Sequence, residues 1–590
     1  MNTSFINKIF NENQKVLKRR NLGTICSEVV LLLVSAFVLS MAHPSFISNK
    51  GWGFLSFFAL IPVFAVIKNT SWKLVGVYGF LYGFVYYSIF NYWLTTFHPL
   101  AILIVTIIKG AEMVFLFLAL KAVDRWLGFV LKGRLVPVFQ AIVWVAYSYL
   151  SQSWFAGYPY GTVAYALYDY KILIQIADLF GIWGLTFMLI LPQALLGSWA
   201  CDHYSKTCCE KSEGLWVHIL HHKVTAIVYV ILLVAQIIYG FITFNFWTKA
   251  QPDNSFSVAT IQHNADSWKG GYDTYKRNFI NLQKMSLEAL LQNPDMIIWS
   301  ETAFVPSVSW YTNYPYEGDE EGNAFDYLRK VQGLVDDFVT FGTQLGTPLL
   351  TGNPTSVIKD SSLPPYDENG DWNKLDYNSV ILFDEGTIKT TYTKQHLVPF
   401  TEHFPYEKEL PLLYKTLKAN DYHWWEKGTE SVIFETSNGI TFSTPICFED
   451  VFGDVCAQFI ANGSDLLINM TNDSWSGSVA AERQHMAMAI FRSVENRRTT
   501  LRGTNSGITC LITPDGIVQG EMEPFKMGYR IWDVPVYSRE TYGTSLYTNT
   551  IDASAFVCIY LSYAILAVGL VFTVTKTIRK KLAKKEGSND

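Results

Sequence analysis

The sequence predicts two parts of different class: a polytopic α-helical membrane domain, and an α/β domain inserted ahead of one last membrane helix. Three observations point there. Charged residues are only 16% of the 590 and apolar residues reach 50%, against about 25% charged in ordinary soluble chains. The deficit of charge is concentrated before about residue 250 and again near the C-terminus. Between those stretches, short β-patterned runs alternate with helical ones, as in a layered α/β domain. The expected domains are residues 1–250, 251–545, and 546–590 with the final helix and a basic tail.

Composition excludes several classes. Aromatic residues at 15% suit a chain with many membrane-interface positions. The net charge of −5 comes with no basic stripe or nucleic-acid motif, so no nucleic-acid partner is expected. Eight cysteines in a chain this long do not make a disulfide framework. The loop from Cys201 and His203 through Cys208 and Cys209 to His221 and His222 matches no standard zinc spacing, so no metal is expected there.

A membrane span takes about 20 apolar residues. Candidates are 26–42, 52–67, 74–93, 100–120, 135–150, 180–200 and 224–244, with one more at 553–574, giving seven plus one. The first is not a cleaved signal, because His43-Pro44-Ser45 is not a small-x-small site and further spans follow. Lysine and arginine set the orientation. Lys8, Lys15, Lys18, Arg19 and Arg20 precede the first span, Lys68 and Lys73 follow the second, and Lys121, Arg125, Lys132 and Arg134 follow the fourth. Lys206, Lys211 and Lys223 follow the sixth, and Arg579, Lys580, Lys581, Lys584 and Lys585 follow the last. Both termini are therefore expected in the cytoplasm, and residues from about 250 to 550 outside the membrane.

Two features of the membrane part stand out. Lys109 and Glu112 lie at i,i+3 inside one span, close enough to neutralise one another, as a structural pair or a functional one. Residues 153–170 carry Gly157-Tyr158-Pro159-Tyr160-Gly161 and further tyrosines, which reads as an aromatic belt at the interface or as the floor of a lipid site.

In the α/β part, strands are expected at 257–262, 296–299, 348–352, 379–383, 465–470, 501–504 and 508–513, and helices at 272–291, 325–342 and 479–498. Three places carry chemistry. Glu301 closes the apolar strand Ile297-Ile298-Trp299. Lys394 and Glu402 stand eight residues apart around Val398-Pro399-Phe400. Cys447 ends the apolar alternation Ile440, Phe442, Thr444, Ile446, with Glu449 and Asp450 behind it and helical spacing beyond. A thiol at such a strand-to-helix turn is exposed at a sheet edge near a helix N-terminus. A thiol nucleophile, a carboxylate base and a cation for the oxyanion together supply what acyl transfer needs.

Glu301, Lys394 and Cys447, in that order, resemble the Glu-Lys-Cys triad of the nitrilase (carbon–nitrogen hydrolase) superfamily. Asn472-Asp473-Ser474-Trp475 and Arg492-Ser493-Val494-Glu495-Asn496-Arg497 are similar to its downstream segments. With the spans, Gly157-Tyr158-Pro159 and Gly181-Ile182-Trp183-Gly184-Leu185-Thr186-Phe187, nearly the whole chain resembles the apolipoprotein N-acyltransferase family, its bacterial inner-membrane branch. The resemblance implies a four-layer α-β-β-α sandwich and N-acylation of lipoproteins in two half-reactions, without cofactor or metal. It implies Glu301 as base, Lys394 on the oxyanion and Cys447 as the acyl-accepting nucleophile. A membrane phospholipid would be the donor, and the amine of a diacylglyceryl-cysteine on an apolipoprotein the acceptor, with the enzyme a monomer.

Glu402 would orient Lys394, and Glu449 would support the loop or the second half-reaction. Phe448 stands where that family has tyrosine, and Thr401 where it has glycine. Two aromatic insertions, 305–316 with Trp310 and 411–425 with Trp424 and Trp425, are expected as mobile arms that keep water from the thioester. The rival readings are a membrane-tethered amidase and a transporter or receptor with a degenerate domain. A single span would suffice as a tether, and an intact Glu-Lys-Cys set argues against degeneracy.

Overall fold

The computed structural model describes residues 22–97, 99–128, 130–154, 156–204, 214–318, 322–367, 370–399, 401–404, 406–409, 411–418, 424–437 and 439–586. The cationic residues expected to precede the first span, and Lys206, Cys208, Cys209 and Lys211, lie outside them. The chain forms two compact units. One comprises residues up to Ile176, Ile182–Phe241 and Asp552 onward, the other Ala177–Gly181 with Ile242–Ile551.

Among the described residues, six helices are long and apolar enough to cross a membrane: Leu22–Ala42, Trp72–Phe90, Ala101–Leu127, Ala177–Cys201, Lys223–Lys249 and Ala553–Arg579. Two of the eight expected spans differ. The 52–67 run breaks into a 3-10 turn, Gly53–Phe57, and a short helix, Ile61–Asn69, begun by Pro62 near its first position. Proline cannot continue a preceding helix but suits the first turn of the next. The 135–150 run is a helix, Val136–Ser153, in which Gln140, Tyr147, Ser148, Ser151 and Gln152 dilute the apolar residues.

Three buried charged side chains in the helical unit are paired, as a low-dielectric interior favours. Glu28 accepts from Asn69 Nδ2 at 2.7 Å and Tyr78 Oη at 2.8 Å. Lys121 Nζ donates to the carbonyls of Ile67 (2.7 Å) and Lys68 (2.9 Å), which satisfies the C-terminus of the Ile61–Asn69 helix. Lys109 Nζ lies 2.9 Å from Glu112 Oε2 and donates to Ser151 O at 3.1 Å. That pair ties neighbouring helices together.

The second unit holds two six-stranded sheets. The first runs, in spatial order, β14 (Gly528–Val536), β1 (Asn254–Gln262), β2 (Met296–Trp299), β3 (Leu349–Gly352), β6 (Ser379–Asp384) and β7 (Thr387–Thr393). The second runs β13 (Val518–Glu521), β12 (Cys510–Ile512), β11 (Thr499–Thr504), β10 (Leu466–Thr471), β9 (Thr441–Ser443) and β8 (Phe434–Glu435). β4 (Thr355–Ile358) and β5 (Lys374–Tyr377) pair apart from both. Central strands are parallel and flanking ones antiparallel.

Side-chain alternation explains the layering. Ile297 and Trp299 of β2 share one core with Phe279 and Leu282 of the Tyr272–Leu290 helix and Phe338 and Phe341 of the Asn323–Leu345 helix. The alternate side chain, Ile298, faces the other sheet, where a Cβ on Gly503 of β11 would come within 3.3 Å of its Cγ2. Beyond that second sheet lies the Val479–Asn496 helix, Ser493 Oγ donating to Thr500 Oγ1 of β11 at 2.8 Å, with the Gly453–Ala461 helix beside it. The order is α-β-β-α.

Candidate active site

Parallel strands present the residues at their carboxyl ends, and the chemistry here gathers there. Glu301 follows the end of β2 by two residues, and Lys394 directly follows β7. Cys447 opens a 3-10 turn, Cys447–Val451, after Ile446 has bridged to Met470 beside β10. Its φ of +48° is a left-handed conformation that side chains other than glycine rarely adopt, and strain of this sort concentrates at functional turns.

The structure brings the buried Glu301 and Lys394 and the half-buried Glu402 into one cluster. Lys394 is fully buried, its Nζ 2.8 Å from Glu402 Oε1 and 3.2 Å from Glu301 Oε1. Asn378, one residue before β6, donates Nδ2 to both carboxylates, at 2.8 Å to Glu301 and 3.2 Å to Glu402. The backbone amide of Asn472 donates to Glu301 Oε2 at 2.9 Å, and that of Val398 to Glu402 Oε2 at 2.8 Å. Each carboxylate is thus aimed by one oxygen at the lysine and anchored by the other.

Burial sets the protonation pattern. It pushes the Cys447 thiol well above its ordinary value, Glu301 adding to the rise and Lys394 opposing it, so the thiol carries its proton at neutral pH. Burial also raises Glu301, with Glu402 acting in the same sense and Lys394 against it. Burial would lower Lys394, but Glu301, Glu402 and Cys447 outweigh it and hold the ammonium well above the ordinary lysine range. A protonated thiol, a carboxylate poised above its usual range and a fixed cation are the elements of base-assisted thiol attack.

Glu449 does something different. Its carboxylate is fully buried and accepts from Tyr392 Oη (2.8 Å) and the amides of Gln395 (2.6 Å), His396 (3.0 Å) and Ile446 (2.8 Å). It pins the segment after Lys394 to the turn that begins at Cys447. Phe448 is buried with its ring edge-on to Phe452 at 5.0 Å, so the aromatic position is filled by packing without a hydroxyl.

One expected arm is not an arm. Trp310 is fully buried in the core of the first sheet, on the short helix Val308–Asn313, with Nε1 donating to Tyr366 Oη at 3.0 Å. The apolar content that suggested a lid segment is satisfied by packing inward. The other segment lies at the site: the Trp425 amide donates to Glu402 O at 2.9 Å, and the Trp424 ring lies 6.1 Å from that of Phe404. Residues 419–423 lie outside the described ones.

Sequence reasoning missed Asn378. The β6–β7 hairpin pairs Ser379 with Thr393, so the residue before the one faces the residue after the other, and the Lys394 amide donates to Asn378 O at 2.8 Å. Counting back from the Glu385-Gly386 turn would put Tyr377 opposite the lysine; a register shift at Leu382/Phe383 moves the pairing by one residue and brings Asn378 there instead. Among the described residues, no group of three or more His, Cys, Asp and Glu side chains is arranged to hold a metal ion.

Residues 35–195 match the family model described as the apolipoprotein N-acyltransferase N-terminal domain, and residues 257–542 match that of carbon-nitrogen hydrolase. The chain is 35% identical to apolipoprotein N-acyltransferase 1 of Treponema denticola over 86% of its length and 90% of the relative's. The chain belongs to the apolipoprotein N-acyltransferase family. Apolipoprotein N-acyltransferase 1 of Treponema pallidum is 32% identical over 92% of this chain and 96% of its own length. Among solved structures, an amidase of Nesterenkonia AN1 from the nitrilase superfamily matches 48% of this chain and 93% of its own, at 16% identity and a TM-score of 0.33. The two family models fall one in each part of the chain, so membership of the apolipoprotein N-acyltransferase family covers the apolar helices and the sandwich alike.

Proposed function

We propose that this protein transfers an acyl chain from a membrane phospholipid, through a thioester on Cys447, to the α-amine of a diacylglyceryl-cysteine at an apolipoprotein N-terminus. The observation that carries the reading is the Glu301–Lys394–Glu402 cluster acting on the Cys447 thiol, in a chain of the apolipoprotein N-acyltransferase family.

Glu301 takes the thiol proton as sulfur attacks the ester carbonyl carbon, and the Lys394 ammonium stabilises the resulting oxyanion. Collapse breaks the carbon–oxygen bond, and the proton on Glu301 passes to the departing lysophospholipid oxygen. The acceptor amine then attacks the thioester carbonyl and gives a proton to Glu301. The carbon–sulfur bond breaks, and the proton returns to Cys447. Glu402 and Asn378 hold Lys394 and Glu301 in register throughout. Glu449 serves loop geometry, since its four donors occupy the carboxylate. The cationic loops support both termini in the cytoplasm of a bacterial inner membrane, with the sandwich on the outer side. The enzyme acts as a monomer, with no cofactor or metal taking part.

The test is incubation of purified enzyme with phospholipid labelled in its acyl chains. Wild type is expected to acquire a hydroxylamine-sensitive label that an apolipoprotein peptide discharges, and Cys447→Ala to acquire none. Unlabelled wild-type protein, or label persisting in Cys447→Ala, would sink the reading.

A further inference from the structure

A second buried charged cluster lies behind the first and takes no part in the chemistry just described. His485, on the Val479–Asn496 helix, is 3% exposed and sits between two carboxylates. Its Nε2 lies 2.7 Å from Asp450 Oδ1 and its Nδ1 3.0 Å from Asp473 Oδ2. Arg502 of β11 contacts Asp450 closely and approaches Asp473 Oδ2 at 3.8 Å. Glu482, one turn earlier on the same helix, accepts from Ser476 Oγ at 2.6 Å and adjoins Asp473.

Those contacts fix the state of the ring. A neutral imidazole has one N–H and could donate to only one of its two carboxylate neighbours, while the imidazolium donates to both. Burial alone would lower its pKa, but Asp473 and Asp450 outweigh it and push it up to about 9, against Arg502. Burial, with Asp473 adding to it, holds Glu482 well above its ordinary value. The Asp450 and Asp473 carboxylates face two cations, His485 and Arg502.

What the carboxylates belong to gives the cluster a role. Asp450 is in the turn that Cys447 opens. Asp473 directly follows Asn472, whose amide holds Glu301 at 2.9 Å. One ring therefore joins the turn bearing the nucleophile to the segment anchoring the base.

We propose that His485 is a positioning residue for acyl transfer, its imidazolium setting the register of Cys447 against Glu301 by holding Asp450 and Asp473 together. The proposal rests on the thioester reading. It makes the acylation step sensitive to alkali: once His485 loses its proton, one clamp opens while Glu301, Lys394 and Cys447 are intact.

The experiment is the rate of Cys447 acylation by labelled phospholipid against pH, on the full chain in detergent, with thermal unfolding followed in parallel. Wild type is expected to acylate with a fall in rate as pH rises through about 9. His485→Gln, which cannot donate to both carboxylates, is expected to be slower by about tenfold or more, as misplaced reacting groups are, and to lack that alkaline fall. Asp473→Asn keeps the shape and removes one of the two charges that raise the ring, so its fall should move toward neutral pH. This second variant decides the matter if His485→Gln does not fold. Wild-type rate and an unchanged alkaline limb in His485→Gln would overturn the proposal alone, as would an unmoved limb in Asp473→Asn. A wild-type enzyme that takes no label would overturn the thioester reading and this proposal with it.

Discussion

Asn378 shows how much of the site depends on a group with no charge of its own. Its amide donates to Glu301 and to Glu402, two carboxylates that face a single ammonium. Removing a donor from an ionised carboxylate raises the pKa. Asn378→Ala should therefore move the acid limb of the acylation rate upward by about one unit, the worth of one charge-assisted hydrogen bond. Rates measured from pH 4 to 8 would read this, and an unmoved limb would mean that Glu301 is not the titrating base. Glu301→Gln, lacking any base, should lower acylation by about a hundredfold or more at every pH; with its oxygen on the Asn472 amide its Nε2 faces the Asn378 and Lys394 donors, so thermal unfolding is measured beside the rate. At this scale the sequence was informative where a residue type announces its chemistry. Glu301, Lys394 and Cys447 could be singled out that way. Asn378 and His485 could not, because their meaning lies in contacts made across a hairpin or between a helix and two loops.

Elements set these distances by backbone contact as much as by side chains. At the end of β3, a Cβ on Gly352 would fall 2.3 Å from the Thr302 amide nitrogen and 2.6 Å from Glu301 Cα. Neither atom can move aside without moving Glu301. Gly352→Ala should cost about 1–3 kcal/mol of stability, the usual price of overpacking, and acylation should fall further than the unfolded fraction explains. Thermal unfolding and acylation rates on the same preparation separate the two. Element reading succeeded where periodicity was clean. The strand expected at 296–299 and the helix expected at 272–291 fall on β2 and on Tyr272–Leu290. It failed where apolar content had two possible uses. The 305–316 segment is rich in aromatics because Trp310 and Tyr311 fill the core, whereas 411–425 places Trp425 on the backbone of Glu402. Replacing Trp424 and Trp425 with alanine should accordingly speed hydrolysis of the acyl-enzyme, and Trp310→Ala should instead lower stability by about 3–5 kcal/mol. Release of free labelled fatty acid and the unfolding midpoint distinguish the two outcomes.

At the scale of the molecule, the raised histidine bounds the pH range of the fold. His485 goes from 6.5 to about 9 on folding, so its contribution is fully present below pH 6.5 and is lost as pH rises through about 9. At 1.36 kcal/mol per unit that is about 3 kcal/mol. The unfolding midpoint should fall across pH 7–9 in wild type and stay flat there in His485→Gln.

Membrane topology is decided at this same scale, and here two readings part. Counting only the six long apolar helices, five precede the sandwich and one follows. Counting all eight expected spans, seven precede it. Both counts are odd, so both put the sandwich on the side opposite the N-terminus. They differ over the loop bearing Lys132 and Arg134: six crossings place it outside, eight place it in the cytoplasm. Lysine and arginine near span ends are retained on the cytoplasmic side. Lys68, Lys73, Lys121 and Arg125 fall on that side only if the broken Gly53–Asn69 segment completes a crossing, and the sandwich then stays outside only if the Val136–Ser153 helix crosses as well. An impermeant maleimide applied to spheroplasts should therefore label Ser362→Cys, at an exposed position of the sandwich. It should reach Lys132→Cys, also exposed, only after lysis. Labelling of Lys132→Cys in intact spheroplasts would reduce the crossings to six, and protection of Ser362→Cys would reverse the orientation of the whole chain.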